Sequence, residues 1–175
     1  MWVTAEAKTM LTPILIAGGV AVFLGIAGGL LTDIGPWYRD LRKPRLNPPN
    51  WLFGPAWTII LGLAAWSAVL AWNAASDPDE QRLVVLLFGA NAILHLLWSP
   101  LFFKLKRPDW ALFEVAFLWA SLVALTIGLA PISHTASLLI VPYLLWVSFA
   151  TWLNWQIVRL NPRAAEKARP ASGGR

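Results

Sequence analysis

The sequence predicts an all-α integral membrane protein, a bundle of five transmembrane helices. Three observations carry that expectation. The 175-residue chain is 58% apolar and only 13% charged, against about 25% charged residues in a soluble domain. Five windows of roughly twenty apolar residues, the length that crosses a bilayer core of about 30 Å, alternate with charged or turn-forming stretches. The cations, finally, collect on one side of the connections between those windows.

The spans are expected at about residues 10–32, 51–73, 83–103, 110–130 and 136–158. The first is longer than the apolar stretch of a cleaved signal peptide, about 7–15 residues, and one lysine precedes it, so it reads as a retained helix. The connection from Asp33 to Asn50 holds Pro36, Pro44, Pro48 and Pro49 and a Trp37-Tyr38 pair. Fixed proline φ angles make it stiff, and it is expected to pack over one mouth of the bundle. Pro142 stands early in the fifth span, where its missing amide proton is expected to matter least. Residues 1–160 thus form one five-helix membrane domain, and residues 161–175, small, charged and without an apolar face, read as a disordered basic tail that touches anionic lipid.

Twelve cations fall on one side: Arg39, Arg42, Lys43, Arg45, Lys104, Lys106, Arg107, Arg159, Arg163, Lys167, Arg169 and Arg175. Lys8 and Arg82 alone fall on the other. Cytoplasmic loops carry the excess of Lys and Arg, which places the N-terminus outside and the C-terminus in the cytoplasm. The same distribution accounts for the pI near 10.1 without nucleic acid as a partner.

Two helical faces stand out. Asn91, His95, Trp98 and Phe102 follow i, i+4, i+7, i+11 spacing, and Tyr143, Trp146, Ala150 and Asn154 follow i, i+3, i+7, i+11. Polar-aromatic faces avoid lipid, so the two are expected to wall a cavity, with flat apolar surface added by Trp57 and Trp119. His95 reads equally as a ligand-facing group and as a neutral imidazole bonded to a neighbouring helix. Trp57, Trp98, Trp119 and Trp146 read as ligand wall or helix packing, whereas Trp51, Trp72, Trp110 and Trp155 near span ends read as interfacial anchors. Ala21, Gly25 and Gly29 form a small-residue stripe suited to packing within the bundle or to a homodimer. Glu114, a turn inside the fourth span, is expected to form an ion pair or reach the headgroups. Without cysteine, and with two histidines, the chain offers no thiolate site and no cluster of metal ligands, and no catalytic motif is visible.

Three segments taken together resemble the TspO/MBR family, the tryptophan-rich sensory and translocator proteins. They are Trp37-Tyr38-x-x-Leu41-x-Lys43-Pro44-x-x-Asn47-Pro48-Pro49-x-Trp51-x-Phe53-x-x-Ala56-Trp57-Thr58, then Leu97-Trp98-Ser99-Pro100-Leu101-Phe102-Phe103, then Val141-Pro142-Tyr143-Leu144-Leu145-Trp146 with Ala150-Thr151 and Leu153-Asn154. The resemblance runs in order from about Ile14 to Asn161. It implies a five-helix membrane protein, often dimeric, whose cavity under the first long loop binds porphyrins and other apolar ligands. Carried over by position, that cavity involves Trp57, His95, Trp98, Trp119, Trp146, Ala150 and Asn154, with Pro48, Pro49 and Trp51 in the covering loop. The chain departs from the family pattern at Arg45 and Leu46, where an aromatic is common, at Leu61 in place of a tyrosine, and at His95 in place of an asparagine. Those departures weaken light-driven porphyrin oxidation as an activity.

The leading expectation is therefore a non-enzymatic sensor, in a bacterial cytoplasmic membrane, for a tetrapyrrole, a carotenoid or a similar flat apolar ligand, regulating pigment metabolism. No cofactor is obligatory on this reading. The alternative is an assembly subunit of a membrane complex such as a photosynthetic pigment-protein complex, and the third reading is a porphyrin photo-oxidising enzyme.

Overall fold

The computed structural model describes the backbone of residues 3–162 and the side chains of residues 11–162. Among the described residues there are six α-helices, one π turn and their connections, with no strand. Helix α1 is Val3–Leu31, α2 is the five-residue Pro36–Asp40, and α3 is Asn50–Ala74. Helix α4, Pro78–Ser99, runs directly into a π turn at Pro100–Lys104, and α5 (Pro108–Leu129) and α6 (His134–Leu160) follow. Five of these helices are long and apolar enough to cross a membrane. The chain is a multi-pass membrane protein.

Local chemistry explains where the helices begin. Pro36, Pro78 and Pro108 each open a helix, where the absent amide proton would have had no intrahelical acceptor. The Asp77 side chain accepts from the amides of Asp79 and Glu80 at 2.8 and 2.9 Å, and Glu80 reaches back to accept from the Ser76 amide at 2.6 Å. This reciprocal cap draws the charged residues Asp79, Glu80 and Arg82 into the first turns of α4, so the helix starts five residues before the apolar window at Leu83. Pro142 proves to lie deep inside α6, in its third turn, because Ser133 caps the helix at 3.3 Å to the Ala136 amide and starts it earlier than apolarity alone suggests.

Helices α5 and α6 form the centre of the bundle. On α5, Ala111, Val115, Leu118, Leu122, Leu125 and Leu129 are buried at alternating spacings of four and three, and α6 answers with Ala136, Ile140, Tyr143 and Val147. Lipid tails are as apolar as leucine, so buried polar groups add the direction that greasy contacts lack. Ser67 on α3 donates to the Ala136 carbonyl (2.7 Å), Ser137 on α6 to the Thr126 carbonyl (2.6 Å), and Asn91 on α4 to Ser121 Oγ on α5 (2.9 Å).

Helix α1 stands apart from this centre. Leu24 is its one buried apolar side chain among the described residues, while Leu15, Ile16, Val22, Phe23 and Leu30 lie open to the surroundings. Its neighbour is chiefly α3, where Gly25 approaches Leu61 so closely that an added Cβ would sit 3.8 Å from Leu61 Cδ1.

The proline-rich connection folds onto one end of the bundle, as its stiffness suggests. Tyr38 and Leu41 are buried with Phe102, Phe103, Ala111 and Ile157. Asn161 clasps this connection from the end of α6: its Oδ1 accepts the Arg42 amide at 3.0 Å and its Nδ2 donates to the Arg42 carbonyl at 2.9 Å. Asn161 is thus an ordered anchor rather than the first residue of a tail, because its amide satisfies both backbone groups of Arg42. The rest of the expected tail, residues 163–175, lies outside the described residues.

Candidate functional site

Between α1, α3, the α4–π segment and α6 lies a cavity of about 800 Å³. That is the upper part of the range for small-molecule sites, about 300–1,000 Å³. Gly18, Ala21, Gly25 and Gly29 form the α1 wall, with Phe53, Gly54, Trp57, Thr58 and Leu61 opposite on α3. His95, Trp98, Phe102 and Phe103 close a third side, and Trp146, Ala150 and Asn154 a fourth. The folded-over connection contributes Ile34, Tyr38 and Asn47 at the mouth.

The small-residue stripe on α1 therefore serves the cavity. Nothing in the described chain stands within 4 Å of the space a Cβ would occupy at Gly18, Gly28 or Gly29, so within the bundle these positions leave room beside the cavity. Gly25 does both, meeting Leu61 while lining the cavity.

Trp57 is the hub of the aromatic wall. Its ring lies edge-on to His95 at 4.8 Å, to Tyr143 at 5.8 Å and to Trp146 at 6.3 Å, and Phe53 meets Trp146 at 5.9 Å. Such edge-to-face pairs add about 0.5–1.5 kcal/mol each beyond their buried area and hold the rings in fixed orientations. A second cluster lies nearer the mouth: Trp98 stacks on Phe102 at 5.1 Å, and Tyr38 tilts against Phe103 at 5.5 Å.

His95 lines the cavity and is at the same time bonded to a neighbouring helix. Nδ1 lies 2.9 Å from the Tyr143 hydroxyl on α6, while the ring lines the cavity. Trp98 Nε1, Trp146 Nε1 and Asn154 Oδ1 are buried in the cavity wall with no hydrogen-bond partner among the described residues. Asn154 is nonetheless oriented, because its Nδ2 donates to the Pro108 carbonyl at 3.0 Å.

Several expected positions lie elsewhere. Trp119 is 42% exposed on the outer seam of α5 and α6, where its Nε1 donates to Ser148 Oγ at 2.8 Å. The indole proton found its acceptor on the lipid-facing side, and Val115 and Leu118 supply the α5 wall. Trp51 is 71% exposed and outside the cavity, since it stands two residues, or about 200°, from the inward-facing Phe53 on the same helix. Pro48 and Pro49 stiffen the covering connection without lining the cavity; Asn47 and Asn50 do so instead. Asn91 shares the His95 azimuth but turns to α5 through Ser121. Glu114 is buried rather than turned outward, and among the described residues neither of its carboxylate oxygens has a hydrogen-bond partner and it makes no ion pair.

Phe53 and Asn47 line the cavity although the sequence reading left them out of the site, and Tyr143, expected on a cavity wall, stands behind the lining and bonds to His95 instead. The first two appear in the motifs already quoted, and Tyr143 heads the α6 stripe, so the signal existed without a structural partner to assign it.

Near the mouth, the Lys43 ammonium lies 4.3 Å from the centre of the Tyr38 ring. Burial pushes the Tyr38 hydroxyl above the ordinary tyrosine range, and burial lowers the Lys43 ammonium below the usual lysine value. Trp110 and Trp155 anchor the same end, stacked under Arg107 at 4.8 Å and Arg159 at 4.7 Å.

The profile of the TspO/MBR family matches residues 17–160. The chain is 38% identical over 146 residues to the tryptophan-rich protein TspO of Chlorobaculum tepidum, covering 82% of this chain and 92% of that protein. It is 33% identical over 136 residues to protein CrtK of Rhodobacter capsulatus, covering 78% and 85%. To the translocator protein of Homo sapiens it is 32% identical over 126 residues, covering 71% and 75%.

Proposed function

The chain belongs to the TspO/MBR family, and from that premise we propose that it is a membrane sensor whose cavity binds a flat apolar ligand of the tetrapyrrole class. The observation that carries this reading is the 800 Å³ cavity walled by Phe53, Trp57, Trp98, Phe102 and Trp146 around one imidazole. A planar macrocycle presents large apolar faces to such rings and a few polar groups at its rim. Trp98 Nε1, Trp146 Nε1 and Asn154 Oδ1 stand unpartnered among the described residues within that wall, and a modest turn of these side chains would present two donors and one acceptor to that rim. A buried polar group without a partner costs about 1–3 kcal/mol, so a ligand that pairs with these atoms gains on each.

The relatives named tryptophan-rich sensory protein and CrtK support a regulatory rather than catalytic role. On this reading the ligand is bound in order to be sensed. The membrane is the bacterial cytoplasmic membrane. The basic end, with the covering connection and Asn161, faces the cytoplasm, and the N-terminus lies outside.

The test is a titration of the full chain in lipid nanodiscs with metal-free protoporphyrin, followed by tryptophan quenching. Trp146→Leu removes one aromatic wall and an indole donor, and is expected to weaken binding about 5–30-fold, the equivalent of 1–2 kcal/mol. Equal affinity in wild type and variant would remove the cavity from the binding account. Co-extraction of a stoichiometric foreign subunit, with no pigment on this chain, would favour an assembly role instead.

A further inference from the structure

The cavity holds a feature that a purely apolar container would not need. His95, half-buried, meets the Tyr143 hydroxyl through Nδ1 at 2.9 Å, and the Trp57 ring stands edge-on to it with the ring centres 4.8 Å apart. Tyr143 is itself buried, perpendicular to Trp57 at 5.8 Å, so the atom that fixes the imidazole is held in place by packing. The ring is thus pinned on its Nδ1 side by a residue outside the cavity lining, while the ring itself belongs to that lining. When Nδ1–H donates to the tyrosine oxygen, Nε2 carries the free lone pair, the arrangement by which proteins orient an imidazole toward a metal.

Among the described residues no group of three or more His, Cys, Asp or Glu could hold a bare ion. A metal reaching this cavity must bring its other ligands with it. A tetrapyrrole does so: the macrocycle occupies the four in-plane positions and leaves an axial one for a single protein group. His134, the other histidine, opens α6 and does not line the cavity.

Resting on the tetrapyrrole reading above, we propose that His95 Nε2 is an axial ligand, so that the cavity selects metal-loaded over metal-free tetrapyrroles. Tyr143 is then the positioning residue that holds the imidazole orientation, its hydroxyl oxygen accepting from Nδ1–H when Nε2 binds the metal. Selection follows because the metal adds a bond to the macrocycle contacts that both forms share.

The experiment uses the full chain in nanodiscs with two probes, iron(III) protoporphyrin and metal-free protoporphyrin, read by absorption and magnetic circular dichroism and by the affinity for each. Wild type is expected to show an imidazole-ligated iron spectrum and to prefer the iron form. His95→Ala is expected to lose that spectrum, to recover it on addition of imidazole, and to lower the iron-to-metal-free affinity ratio at least tenfold. His95→Gln, which keeps a side chain of similar reach, gives the same result should the alanine variant fail to fold. Tyr143→Phe retains the imidazole signature while the same ratio falls about tenfold, the usual scale for removing the group that orients a metal-binding histidine. Binding of both probes with the same iron spectrum in wild type and His95 variants would overturn the axial role and leave the tetrapyrrole reading standing. Binding of neither probe by wild type would overturn both.

Discussion

Asn161→Ala isolates how firmly the covering connection is shut. The side chain makes two bonds to Arg42, at 3.0 and 2.9 Å, and a third to the Ile157 carbonyl at 2.8 Å. Only the first two join α6 to the connection. Both lie at exposed positions, where water replaces the lost partner, so each contributes near the lower end of the net range of about 0.5–1.5 kcal/mol. Together they hold the connection by about 1–2 kcal/mol, a factor of roughly 5–30 in the closed-to-open ratio. Hydrogen exchange of the full chain in nanodiscs, read over residues 36–47, is the assay. The variant should exchange about 5–30 times faster there, with α5 unchanged. Asn161→Asp, which keeps the acceptor for the Arg42 amide and loses the donor, should fall between the two. Unchanged protection at Tyr38 and Leu41 in the alanine variant would refute the reasoning. It would mean that their burial against Phe102, Phe103 and Ile157 closes the connection without the clasp.

Other expectations follow from equally local features. Lys106 carries φ of 55° between the π turn and α5, a left-handed conformation that an L side chain resists, so Lys106→Gly should stabilise the protein by about 1 kcal/mol in thermal unfolding. Ser67→Val removes the 2.7 Å bond to the Ala136 carbonyl between α3 and α6 and should destabilise by about 0.6 kcal/mol and by no more than about 1.7, the mean and the maximum for such bonds between membrane helices, read from unfolding in detergent. Tyr38 is the sole tyrosine in a Tyr143→Phe background, and burial raises its pKa above 10.0. Its contribution to stability is then present below the unfolded value and is lost as pH rises through the folded one. Tyrosinate absorbance at 295 nm should accordingly appear at higher pH in the folded protein than in the unfolded chain.

The spans were legible because apolar length is a property of composition, and the bilayer demands it at every crossing. Their ends were less so. Asp77 and Ser133 start α4 and α6 outside the apolar windows, and a charged first turn is invisible to a search for greasy residues. The cavity was legible in part for a related reason. A stripe such as His95-Trp98-Phe102 records a shared azimuth, and its members do line the cavity together. Periodicity says nothing, however, about which neighbour that azimuth meets. Asn91 lies on the same stripe and ends against Ser121, while Trp119, one residue beyond the inward Leu118, turns its indole out to Ser148. The glycines of α1 were read as a contact surface, since a missing side chain looks the same in sequence whether a helix or an empty volume lies opposite. The clasp at Asn161 joins residues 119 positions apart and leaves no periodic trace.

The π turn at Pro100–Lys104 has a consequence for the length of the chain itself. In it the Leu105 amide donates to the Pro100 carbonyl at 2.9 Å, five residues back instead of four. One residue more than an α-helix needs is taken up there, and every side chain beyond it is turned by about 100° relative to a straight continuation. Phe102 and Phe103 both lie buried within this turn. The segment behaves as an absorbed one-residue insertion: deleting a single position would let an ordinary helix re-form, but with the aromatic cluster near the cavity mouth and the connection to α5 rotated out of phase. Among the transmembrane helices, α4 is therefore the one whose residue count, more than its composition, sets the architecture of its end.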